Sequence, residues 1–147
     1  MLFLIIYFNS CRNKDDKGQG SPLFTLLSPG QTHVDFVNKL TEGLNTNVLI
    51  YEYFYNGGGV AVGDVNNDGL QDIYFTANMT DNKLYLNKGK MQFEDITAMS
   101  NVAGRPGPWK TGVTMVDING DGKLDIYVCY SGKLGGEKRM NQLFINN

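Results

Sequence analysis

Six aspartates and two asparagines fall in two short runs whose spacing suits an oxygen cage for a hard cation. Asp64, Asn66, Asp68 and Asp72 stand at positions 1, 3, 5 and 9 of the first run. Asp117, Asn119, Asp121 and Asp125 take the same positions in the second. Calcium takes about six to eight oxygens at roughly 2.3–2.6 Å, so a single loop must curl tightly and aim alternate side chains inward. Gly69 and Gly122, at position 6, permit the left-handed backbone that the curl demands. Position 7 offers only its main-chain carbonyl, so Leu70 and Lys123 serve equally well and complete each ligand set. The expectation is two Ca²⁺ sites, one per loop.

A lone Asp/Asn/Gly cluster is also what a plain solvated turn looks like. Register speaks against that reading. Shifting the chain by 53 positions (117 − 64) lays residues 59–75 on 112–128 with nine identities in 17 positions, an internal repeat. An EF-hand is excluded, because position 12 is Phe75 or Val128 where a bidentate Glu is required, and the flanks are not helical in pattern. Val60-Ala61-Val62 precedes the first loop, and Ile73-Tyr74-Phe75 and Ile126-Tyr127-Val128 follow the two loops. Each loop therefore joins two β-strands.

The elements that position the loops follow. Strands are expected at 59–64, 72–77, 82–86 and 91–97, with a turn at 87–90 before the last. A second set is expected at 110–116, 125–130 and 141–145. Leu84 and Leu86 alternate with Tyr85 as in a half-buried strand. Tyr85 matches Phe144 at a shift of 59, so six residues (59 − 53) are inserted around 131–138. Gly57-Gly58-Gly59 leads into a strand and marks a bulge or a close approach of backbones. Tyr51, Tyr53 and Tyr55 alternate as in a strand, and Pro22 and Pro29 argue against a regular helix ahead of them.

With Asp-x-Asn-x-Asp-Gly-x-x-Asp set between strands and followed by Asp-Ile-Tyr, the chain resembles the FG-GAP/VCBS repeat of integrin-type β-propellers. Residues 55–64, 83–87 and 93–97 also resemble the amino-terminal part of bacterial VCBS-repeat lipoproteins that carry an ASPIC/UnbV domain further on. The resemblance covers roughly residues 23–147 and implies an all-β fold. Its blades are four-stranded antiparallel sheets with inter-strand calcium loops, here a fragment of an incomplete propeller, because about four to eight blades close a ring. The expected organisation is a signal peptide at 1–10, a lipidated flexible tether at 11–30 and an extended segment entering the propeller at 31–57. A first FG-GAP/VCBS repeat occupies 58–104 and a truncated second 105–147, with the remaining blades carboxy-terminal to it.

The amino terminus opens on seven apolar residues, Leu2 to Phe8, then Asn9-Ser10-Cys11. The run is too short for a bilayer span of about 20 residues but suits a secretory signal. Ser10-Cys11 resembles a bacterial lipobox, which makes Cys11 the lipidation site. Residues 12–21 carry no apolar side chain and read as a solvated tether. Lys14-Asp15-Asp16 resembles the signal that sends some Gram-negative lipoproteins to the cell surface. The implied location is the outer membrane, with the membrane contacted through the lipid alone. Cys129 would then be an unpaired thiol packed within a strand.

Catalysis finds no residues to carry it. His33 is the sole histidine and lies outside both repeats, and no Ser or Cys stands in a nucleophile-elbow context. The closely spaced carboxylates are all explained as metal ligands. The formal net charge is −2, and Lys and Arg are scattered without an aromatic-lined basic patch, so nucleic acid is not an expected partner. Two functions remain: a surface-anchored module that binds an extracellular glycan or protein, or the supporting part of a larger extracellular enzyme such as a polysaccharide-degrading one. Trp109 beside a Pro-Gly-Pro turn packs between blades or stacks on a sugar.

Overall fold

Alternating apolar residues around the two loops build two antiparallel sheets in the computed structural model, which describes residues 22–107, 109–132 and 136–147. The first sheet is a meander of β1 (Val60–Gly63), β2 (Asp72–Phe75), β3 (Lys83–Asn87) and β4 (Phe93–Asp95), paired in that order. The second consists of β5 (Lys110–Val116), β6 (Asp125–Tyr130) and β7 (Gln142–Phe144). Among the described residues the fold is all-β apart from one helical turn, α1 (Pro29–Thr32), and a 3₁₀ turn at Gly136–Arg139, as expected of part of a β-propeller.

The pairing obeys the repeat. Val62 faces Ile73 and Met115 faces Ile126, both shifted by 53; Tyr74 faces Leu84 and Tyr127 faces Leu143, the latter partner shifted by 59. The six-residue insertion therefore lies between β6 and β7, where the 3₁₀ turn sits. Because side chains alternate across a strand, each sheet turns one set of residues toward the other sheet. Tyr74, Leu84, Ile96 and Val102 meet Ile126, Val128 and Tyr130 there and form the core. Close approach of the sheets is possible because Gly59 has no side chain: a Cβ on it would lie 2.9 Å from the Gly112 Cα.

Several expectations need correction. The last strand of the first sheet starts at Phe93 and not at residue 91, because Lys90 and Met91 both have left-handed backbones (φ 53° and 60°) that no strand accepts. Tyr85 is not on a half-exposed face. Residues 35–38 cross the far side of the first sheet: Phe36 stacks on Phe75 at 4.8 Å, the Tyr85 hydroxyl donates to Asp35 at 2.8 Å, and Asn38 and Asn78 bond reciprocally at 2.6 and 2.9 Å. Tyr85 is consequently buried, like its neighbour Leu84.

The segment 51–55 is not a strand either. Asn47 starts a series of turns by accepting the Leu49 and Ile50 N–H groups on its side chain, and the chain continues with Tyr51 N–H to Asn47 O and Phe54 N–H to Tyr51 O. Pro29 does not prevent helix but begins α1, where its missing N–H costs nothing, and the Gln31 side chain accepts the Ser28 N–H at 3.0 Å. Cys129 is half-buried, on the face of β6 turned away from the first sheet. The expectations for residues 1–21, including Cys11 and the tether up to Ser21, lie outside the described residues. Among the described residues, no helix is long and apolar enough to cross a membrane.

Candidate metal loops

The two loops join β1 to β2 and β5 to β6, at the same end of their sheets. Their first residue anchors the curl. Asp64 accepts the Asp68 N–H at 3.1 Å on one oxygen and the Gly69 N–H at 2.7 Å on the other; Asp117 accepts the Asp121 and Gly122 N–H groups at 3.1 and 2.8 Å. Position 3 repeats the pattern. Asn66 accepts the Asp68 N–H at 3.2 Å and donates its amide to the Asp68 carboxylate at 2.9 Å, and Asn119 does the same with Asp121 at 3.1 and 2.9 Å. Asp68 and Asp121 each accept the N–H of position 7, from Leu70 and Lys123, at 2.8 Å. Gly69 and Gly122 share φ 86°, the left-handed backbone expected at position 6.

These bonds set the charge states. The amide of Asn66 and the Leu70 N–H hold the Asp68 carboxyl below its ordinary range; the Lys123 N–H and the Asn119 amide do so for Asp121. Position 9 behaves differently. Asp72 and Asp125 begin β2 and β6 and are fully buried. Burial pushes the Asp72 carboxyl up, against its two backbone donors, and the charges of Asp68 and Asp64 add to the rise.

Each position-9 carboxylate is held by a residue that sequence reasoning did not single out. Asp72 accepts the Val65 N–H at 2.9 Å and the Asn87 N–H at 2.8 Å; Asp125 accepts the Ile118 N–H at 3.0 Å and the Asn146 N–H at 2.9 Å. Asn87 and Asn146 differ by 59, the shift already visible in Tyr85 and Phe144, so the signal was present in Leu84-Tyr85-Leu86-Asn87 and Leu143-Phe144-Ile145-Asn146. Their side chains bond the chain just before position 9: Asn87 to the Gln71 carbonyl at 2.9 Å, Asn146 to the Leu124 carbonyl at 3.3 Å. Asn146 also reaches the Val65 carbonyl of the first loop at 2.7 Å. Asn67 donates to the Gly122 carbonyl at 3.1 Å, so the loops brace each other.

The donor chemistry suits a hard cation. An ionised carboxylate has about four lone-pair sites, and the bonds above occupy two on Asp64, two on Asp68 and two on Asp72. Oxygen lone pairs remain at positions 1, 3, 5 and 9, as do the carbonyls of Leu70 and Lys123. Among the described residues, however, no three Asp, Glu, His or Cys side chains converge closely enough to form a ready-made ion cluster. Backbone and asparagine amides of the loops hold the carboxylates in this arrangement.

The chain is 38% identical over 78 residues to cartilage acidic protein 1 of Xenopus tropicalis, an alignment that takes in 49% of this chain and 11% of that protein. The chain therefore corresponds to a small part of that relative's length. Residues 64–128, from the first residue of one loop to the strand beyond the other, match the model of the FG-GAP-like repeat.

Proposed function

We propose that this chain is a calcium-stapled β-propeller module that binds an extracellular glycan or protein and is held at a bacterial cell surface by a lipid on Cys11. The observation that supports the reading best is the repetition of the loop bonds: five hydrogen-bond roles recur at a shift of 53, down to the donor atom. A solvated turn has no reason to be copied at that level of detail. Asp64, Asn66, Asp68, the Leu70 carbonyl and Asp72 would hold one Ca²⁺; Asp117, Asn119, Asp121, the Lys123 carbonyl and Asp125 would hold the other. Bound calcium supplies positive charge that relieves the repulsion among three carboxylates per loop.

The side chains themselves do no bond-making chemistry in this reading. The loops fix the ends of β1, β2, β5 and β6, and the fixed strands present the surfaces between them. Extracellular calcium modules have Kd of about 10⁻⁴–10⁻³ M, so calcium at a hundred times Kd should stabilise by about 2.7 kcal/mol per site. Calorimetric titration of the full-length protein, with Asp68→Ala and Asp121→Ala variants each losing one site of those observed in the parent, is the test. Unchanged stoichiometry in both variants, or a melting temperature indifferent to chelator, would remove calcium from the account. Labelling with a fatty-acid probe that survives Cys11→Ser would remove the anchor.

A further inference from the structure

The polar side chains in and beside the first sheet's core are spent on protein partners. Asn82 donates to the Tyr74 hydroxyl at 2.8 Å, Tyr74 to the Val102 carbonyl at 2.6 Å, and Asn78 to the Lys110 carbonyl at 3.2 Å. One place differs. A cavity of about 220 Å³ lies where residues 51–57 meet the start of β5 and the end of β6, lined by Tyr51, Tyr53, Asn56, Trp109, Thr111 and Ser131 among others. Among the described residues, none of these six side chains takes part in a hydrogen bond, although each carries an O–H, N–H or amide group.

The cavity is built rather than incidental. Tyr51 packs on Trp109 with ring centroids 5.1 Å apart, Tyr53 meets Tyr51 edge-on at 5.8 Å, and Phe54 supports Trp109 from another side at 5.2 Å. The aromatic rings are thus fixed by one another before any ligand arrives, which lowers the ordering cost of binding. Thr111 reaches the cavity because it is the extra residue of a bulge: pairing jumps from Lys110–Tyr130 to Gly112–Cys129. Bulges re-aim a side chain in this way.

We propose that this cavity is a binding site for one neutral pyranose ring, a terminal sugar of a glycan. The proposal rests on the binding-module reading above and names its site and ligand class. Its volume falls below the range of about 300–1,000 Å³ that holds drug-sized molecules, so a single small ring is the matching size. A pyranose offers an apolar C–H face for Tyr51 or Tyr53 and a rim of hydroxyls for Asn56, Thr111, Ser131 and the Trp109 N–H. No lining residue is an acid or a base, so the site favours neither ionic ligands nor proton transfer.

The test uses the full-length protein with methyl β-D-glucopyranoside and methyl β-D-galactopyranoside as probes and D-glucuronate as the charged comparator, read by saturation-transfer and titration NMR. At least one neutral probe should bind, and Tyr53→Ala and Asn56→Ala should each weaken it by up to about tenfold, the range an aromatic or hydrogen-bond contact supports. Tyr53 is 54% exposed, so its variant should keep the parent's melting temperature and report binding alone. Tighter binding of glucuronate would overturn the ligand class. Binding unchanged in both variants would overturn the site while leaving a glycan-binding module standing. No binding of either neutral probe at millimolar concentration would overturn the proposal, and the calcium titration would still judge the module independently.

Discussion

The two loops share five hydrogen-bond roles and differ at one position. At position 4 the first loop has Asn67 and the second Gly120, both with left-handed backbones (φ 58° and 77°). Asn tolerates that conformation better than most residues but still carries a Cβ, whereas glycine adopts it freely. Asn67 uses its side chain to reach across to the Gly122 carbonyl, and Gly120 instead donates its own N–H to Asp117 at 2.7 Å. Asn146, from the second sheet, likewise spans to the first loop, while its counterpart Asn87 stays within its own unit. The repeat thus preserves the fold of each loop and varies the residues that couple one loop to the next. Coupling is asymmetric where folding is symmetric.

The sharpest way to break that comparison is to remove the position-9 carboxylates in chelator, so that lost ligation does not enter. Asp72→Ala strands the Val65 and Asn87 N–H groups, and Asp125→Ala those of Ile118 and Asn146. Two unsatisfied donors at about 1–3 kcal/mol each give an expected loss of about 3 kcal/mol in both variants, read by urea unfolding of the full-length protein. A loss in one variant at less than half that of the other would show that the two loops are not energetically equivalent.

Coupling itself is probed by the asparagines. Asn146→Ala removes two side-chain bonds, one of them to the neighbouring loop, and Asn87→Ala also removes two, to the Gln71 carbonyl and from the Gly89 N–H, so each should cost about 2 kcal/mol. A cost at Asn146 no more than half that at Asn87 would mean that the bond to Val65 contributes nothing. At position 4, Gly120→Ala should destabilise by about 1 kcal/mol, because alanine resists the left-handed backbone, whereas Asn67→Gly should change stability by no more than about 0.5 kcal/mol. Thermal melts of the pair decide it, and a larger effect at Asn67 would raise the worth of its bond to Gly122.

The smallest effect concerns an ion pair of the first sheet, between Lys83 on β3 and Asp95 on β4. Burial alone would raise the Asp95 carboxyl, but the Lys83 ammonium at 2.5 Å and the Thr97 hydroxyl and N–H outweigh it and hold the carboxyl below its ordinary range. A depressed folded-state value means stability that is present above the unfolded value, about 3.9 for Asp, and lost as pH falls through the folded one. Asp95→Asn should therefore flatten the acid limb of the stability curve slightly. The pair is about one third exposed, so solvent screens it and the change should sit near the limit of detection. A large change would point to a role beyond this ion pair.

How much of this was legible in the sequence depended on whether a residue's partners are local. The loops and the strands beside them were readable because glycine at position 6, alternation and a fixed shift all point the same way. Asn87 and Asn146 were readable only in part: the shift of 59 was visible, but which backbone groups they would serve depends on a strand pairing. Tyr51, Tyr53 and Tyr55 misled, since their alternation mimics a strand while Asn47 imposes turns and the rings find partners on Trp109 and each other. Tyr85 misled in the other direction, because the segment that buries it lies 50 residues away in sequence. Cys129 could not be assigned a face until the register of β5 and β6 was known.

Trp109 is the single tryptophan of the chain, only 5% exposed, and is enclosed by Tyr51 and Phe54 from the amino-terminal segment. The chain therefore carries its own optical reporter at the seam between that segment and the second sheet. Peeling residues 51–55 away would wet the indole and move its emission to the red while both sheets stayed paired. Circular dichroism would follow the sheets and fluorescence the seam, so detachment of the segment and unfolding of the blades can be told apart without a label.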